Sequence, residues 1–103
     1  MTPLRKRANA LETQFARQAE LEFRTKVLCG KMIGRWAGYK MGVDDVEAYA
    51  HNIAMQQVVE PHRLLDLLRQ DFSAAGMDVS EAELNSQMHT FLDSASVEIA
   101  TRG

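Results

Sequence analysis

Three histidines, His51, His62 and His89, one cysteine, Cys29, and fourteen carboxylates are the side chains that could ligate a metal or move a proton. Their spacing supports neither. No two histidines stand at the short helical or turn spacing of a metal-binding pair. His51 lies four residues after Glu47 and His62 four before Asp66, a spacing that on a helix makes surface ion pairs. A lone cysteine forms neither an internal disulfide nor a cysteine zinc set, and Cys29 reads as a small buried apolar residue. There is no Gly-x-Ser-x-Gly elbow, no His-Glu-x-x-His and no Walker loop. No catalytic residue, metal ligand or cofactor is assigned, so a non-enzymatic protein is expected. One cluster has the chemistry of a ligand site: Arg24, Lys31, Arg35 and Trp36. Their cations could hold a phosphate while the indole stacks on a purine. A basic solvated face accounts for them equally well.

The stretch that must position everything else runs from Leu28 to Gly42, where Gly30, Gly34, Gly38 and Gly42 recur every four residues. On a helix such residues line one face, and a second helix can press closely onto the smooth ridge they make. Leu28, Met32, Trp36 and Tyr39 form a bulky stripe beside it. Interior glycine costs a helix about 1 kcal/mol relative to alanine, so tight packing along the ridge is expected to offset it. Lys31, Arg35 and Lys40 interrupt the segment, and no uncharged run approaches the roughly 20 residues of a membrane span. No membrane insertion is expected. The absence of an apolar signal region after Met1 and the single cysteine point to the cytoplasm.

Net charge is −2, yet residues 1–41 carry nine Lys/Arg against three Asp/Glu, and residues 42–103 three against eleven. The two halves either pack together and partly neutralise, or the basic half faces an acidic partner; nucleic acid ranks lowest among the partners considered. The chain is long enough for one core. Its opening, MTPLRKRANA, lacks a helical apolar pattern and is expected to be disordered when free. From Leu11 a thin row follows at four-residue steps through Phe15, Ala19, Phe23 and Val27, and beyond Val27 the apolar surface broadens. Such a row resembles a helix-in-groove ligand, unless it folds back onto the bundle. Gly42 suits a helix C′ position, and Asp44 with Glu47 suggests a capping box for a second helix ending near Val59. The core face of that helix is Val46, Tyr49, Ala50, Ile53 and Gln57 or Val58. Pro61 opens a third helix with Leu64, Leu65, Leu68, Phe72 and Ala75 inward and Gly76 as its stop. Ser80 and Glu83, with Val79 against Leu84, start a fourth helix carrying Leu84, Met88, Phe91, Leu92, Ala95 and Ile99. The expected fold is all-α: a four-helix bundle over residues 21–101 with a long first helix, preceded by a mobile, partly helical arm over residues 1–20.

Ala10-Leu11-Glu12, Gln14-Phe15-Ala16, the run Glu20 to Phe23, Lys31-Met32-Ile33-Gly34, Trp36-Ala37 and Met41-Gly42 resemble the zeta subunit family. Its members are small four-helix proteins of alphaproteobacteria that inhibit the ATP synthase. Ala48-Tyr49-Ala50, Asp71-Phe72, Gly76 and Val79-Ser80 continue the likeness. The resemblance implies that an N-terminal helix enters a catalytic interface of the synthase head and blocks hydrolytic rotation. The insertion face would be Leu4, Arg7, Leu11, Glu12 and Phe15. Arg5, Lys6 and Ala8 stand where the family usually has an acidic pair and a Glu, and Leu28, Cys29 and Gly30 replace a polar Arg-Arg-Asn run. The second reading is therefore a diverged paralogue: a helical binding module for a purine nucleotide or another protein, without inhibition.

Overall fold

The computed structural model describes the backbone of residues 3–102 and the side chains of residues 9–102. Four α-helices and one 3-10 turn follow in order: α1 (Pro3–Met41), α2 (Val46–Val59), the turn Pro61–Arg63, α3 (Leu64–Ala74) and α4 (Glu81–Arg102). No strand occurs among the described residues. The all-α, four-helix expectation with a long first helix is what the chain adopts.

The glycine ridge is the packing seam between α1 and α2, the pair of helices in most extensive contact. A Cβ built on Gly30 would stand 2.6 Å from the Ala54 Cα, and one on Gly34 2.7 Å from the Ala50 Cα. Both obstacles are backbone, so the helices approach as closely as they do only because these two positions lack side chains. Ala50 and Ala54 complete the seam from the α2 side and are buried with Ile53. Ala54 was absent from the expected α2 face, because alanine carries no strong inward signal in a sequence. Tyr39, expected in the stripe beside the ridge, is 72% exposed; it lies in the last turn of α1, on the side away from the seam where Gly38 meets α2.

Helix ends follow local chemistry. Gly42 takes φ +72, its N–H donates to the Tyr39 carbonyl and Val43 donates to that of Gly38; this paired closure is the Schellman motif. Gly76 repeats it at φ +76, with Gly76 donating to Ser73 and Met77 to Phe72. The start of α2 differs from expectation by one residue: Asp45, not Asp44, is the cap, its Oδ1 accepting from the Ala48 N–H at 3.0 Å. Glu47 does not close a box. It reaches Arg35 on α1 instead, at 2.8 Å. Ser80 caps α4 by accepting from the Glu83 N–H at 3.1 Å, while the Glu83 carboxylate goes to Lys40 at 3.0 Å. Pro61 opens a 3-10 turn before α3 begins at Leu64.

The core is one cluster of Ile33, Ala37, Ile53, Leu64, Leu68, Phe72, Val79 and Leu84. Trp36 closes one side with its ring edge-on to Phe72, centroids 5.7 Å apart, and Lys40 covers the indole at 5.4 Å. Cys29 is fully buried, and its Sγ faces the Met88 Sδ at 3.7 Å. All of this lies beyond residue 20. Among the described side chains of α1 Leu21 is the first that is partly covered, and every side chain of residues 9–20 is exposed. The row of residues 9–20 therefore does not fold back. This half of α1 remains helical because the packed half supplies the nucleus that isolated helices lack. Extension through good helix formers such as Ala16, Arg17, Gln18 and Ala19 then costs little.

Candidate functional site

The 39 residues of α1 would span about 58 Å at 1.5 Å per residue, and the molecule measures 65 × 23 × 20 Å. The long dimension is therefore set by α1, and the bundle leaves the side chains of its residues 9–20 uncovered. On the uncovered half Leu11 is 53% and Phe15 69% exposed. They stand one turn apart, with Glu12 at the flank, also exposed. The only side-chain hydrogen bonds from residues 9–20, among the described residues, are local. Thr13 donates to the Asn9 carbonyl, Gln18 to Glu22 and Arg24 to Glu20. These stiffen the helix without engaging the strip. Leu4 and Arg7, expected on the same face, lie outside the residues whose side chains are described.

No ordinary monomer surface needs two neighbouring large apolar side chains this exposed on a helix held clear of its own core. The row leaves apolar surface that the fold itself does not use. Among the described residues no group of three or more His, Cys, Asp and Glu side chains could hold a metal. His51, His62 and His89 are exposed and separate. Burial pushes the Cys29 thiol above its ordinary value, which leaves it a poor nucleophile. The half-buried Tyr49 hydroxyl donates to Asp71 at 2.7 Å, and desolvation with that bond raises its pKa far above the usual range; it stays a neutral structural donor.

The family model of the ATPase inhibitor subunit zeta matches residues 1–98. The chain belongs to the zeta inhibitor family. Comparison with curated proteins and with solved structures returned no match. In this zeta chain the match runs through both the exposed half of α1 and the bundle. No described helix is long and apolar enough to cross a membrane.

The four residues proposed from sequence for a nucleotide are divided by the zeta fold. Arg24 and Lys31 line one groove, together with Phe23, Val27, Leu28, Ile99 and Arg102. Arg35 and Trp36 do not line it. Arg35 makes a two-pronged pair with Glu47, at 2.8 and 3.2 Å. That hydrogen bond raises the arginine pKa and holds the Glu47 carboxyl below its usual range. Trp36 is committed to Phe72 and Lys40. Ile99 and Arg102 were not singled out for this groove from sequence. They arrive from the far end of α4, and nothing in the local pattern signals which part of α1 that end will meet.

Proposed function

We propose that this zeta-family protein inhibits ATP hydrolysis by the catalytic head of the ATP synthase, by inserting the exposed half of α1 into a catalytic interface. Leu4, Arg7, Leu11, Glu12 and Phe15 form the insertion face, and the arm over residues 1–20 moves relative to the bundle over residues 21–101. The observation that carries the reading is the uncovered Leu11–Phe15 strip on a helix that continues out of its own core. Transfer of one such side chain from water to a fitted pocket contributes about 1.5–3 kcal/mol. A helix already propagated from the bundle binds without the full cost of ordering a free segment. Wedged between subunits that must move relative to each other, the rod would stop rotation mechanically, so no chemistry of its own is required.

The test is ATP hydrolysis by the synthase head of the same organism, titrated with the full protein and with Phe15→Ala. We expect the wild-type protein to inhibit. The variant should need about thirtyfold more protein, the equivalent of about 2 kcal/mol at a buried aromatic anchor, with its melting temperature unchanged because Phe15 packs on nothing in the free protein. Equal inhibition by both would remove the strip from the mechanism.

A further inference from the structure

The groove between α1 and the end of α4 has a composition the strip lacks. Phe23, Val27, Leu28 and Ile99 supply an apolar floor, and Arg24, Lys31 and Arg102 stand around it. No acidic side chain lines it, although residues 42–103, which supply its α4 wall, hold eleven Asp/Glu against three Lys/Arg. Arg24 is paired outward with Glu20 and Arg102 with Glu98, each four residues back along its own helix, which leaves further guanidinium N–H groups for a ligand. Lys31 makes no ion pair among the described residues. Phe23 is 54% exposed at the mouth.

The groove is also where the four-residue row ends: Leu11, Phe15, Ala19, Phe23 and Val27 are successive neighbours, and the last two line it. Each four-residue step turns about 40° around the helix axis, because 3.6 residues complete a turn. The four steps from Leu11 to Val27 therefore sweep about 160°. A flat surface cannot follow such a row. A molecule in contact with both its ends must enclose α1, touching Leu11 and Phe15 from one side and the groove from nearly the opposite one.

We propose that the groove is a second contact for the synthase head, occupied by an acidic segment of the head that carries a neighbouring apolar side chain. This rests on the insertion reading above. The carboxylate would be held by Lys31 and the free N–H groups of Arg24 and Arg102, with the apolar side chain on Phe23, Val27 and Ile99. Insertion of the strip and seating of the bundle then grip α1 from two walls of one cleft.

The test uses the full-length protein with Lys31→Glu and Arg102→Glu combined, beside Phe15→Ala and the wild type. The expected result for the charge-reversed variant is a half-inhibitory concentration raised about tenfold or more at low salt, where reversed charges act most strongly. Inhibition should still be complete at saturation, the difference from wild type should shrink as salt rises, and melting should fall by no more than a few degrees, the cost of the lost Arg102–Glu98 pair at a helix end. Wild-type inhibition by the charge-reversed variant alongside a weakened Phe15→Ala would overturn the groove and leave the strip in place. If the wild type does not inhibit, or Phe15→Ala inhibits as well as it does, calorimetric binding of each protein to the head decides separately. Binding lost on charge reversal keeps the groove as the contact, and binding unchanged by it, or absent in the wild type, overturns it.

Discussion

Tyr49 and Asp71 join α2 to α3 through one hydrogen bond of 2.7 Å, between half-buried groups on elements that otherwise meet little. Removing the hydroxyl with Tyr49→Phe should cost about 1 kcal/mol, the usual net contribution of a hydrogen bond whose acceptor can be rehydrated. The folded-state pKa of Tyr49 is raised by burial and by the bond to Asp71. Its stabilisation is therefore fully present below the unfolded pKa near 10 and is lost as pH rises above it, when the unfolded chain releases the proton first. The gap in melting temperature between wild type and Tyr49→Phe should close above pH 10; a gap that widened there would show that the hydroxyl is not the stabilising group. Nothing in the sequence paired these two residues. A polar residue on an amphipathic helix gives no sign of which neighbour it will meet, whereas Gly42 and Gly76 were legible because a glycine after an apolar helix has one common use.

At the scale of the helices, close approach decides the fold. The α1–α2 seam is as tight as backbone permits at Gly30 and Gly34, but at Gly38 a Cβ would meet only side chains, Val43 Cγ2 at 3.2 Å and Tyr49 Cδ2 at 3.3 Å. Alanine gains about 1 kcal/mol of helix propensity at any of the three. At Gly38 that gain offsets a small shift of flexible neighbours, so Gly38→Ala should lie within about 1 kcal/mol of wild type. At Gly34 the obstacle is the Ala50 Cα, and the helices must separate along their length. Gly34→Ala should therefore destabilise despite the propensity gain, and Gly34→Leu by about 3 kcal/mol or more. Urea titrations of the three variants check the order, and equal stabilities would mean that the seam is not limiting. The ridge itself was readable, because four-residue glycine spacing on a helix has little other purpose. Its partner was only half readable. Ala50 fell on the expected face, and Ala54 did not, since an alanine beside Ile53 carries no strong inward signal of its own. The cap at Asp45 rather than Asp44 has a similar cause: two adjacent aspartates can both accept from a helix start, and Glu47, which would have favoured the earlier one, is drawn to Arg35.

The whole molecule is a core with a rod attached, and the two have different energetics. Contacts that hold the core begin at Leu21, and residues 9–20 bury nothing. Two ion pairs, Arg35–Glu47 and Lys40–Glu83, join the basic α1 to the one carboxylate of α2 and to the acid-rich α4. Both are partly solvated and screened, so neither adds much to stability. The charge asymmetry between the halves thus does little to hold the fold. A version beginning at Glu22 removes the rod and, among the described residues, uncovers only what the partly covered Leu21 packs on. It should melt within a few degrees of the full protein and lose helical ellipticity in proportion to the residues removed. On the insertion reading it should not inhibit ATP hydrolysis at any concentration at which the full protein does. Retained melting with lost inhibition would separate the anchoring part of the chain from the blocking part. Retained melting with retained inhibition would place the block on the bundle, whereas a large fall in melting temperature would mean that the rod, despite its exposure, supports the core through the continuity of α1.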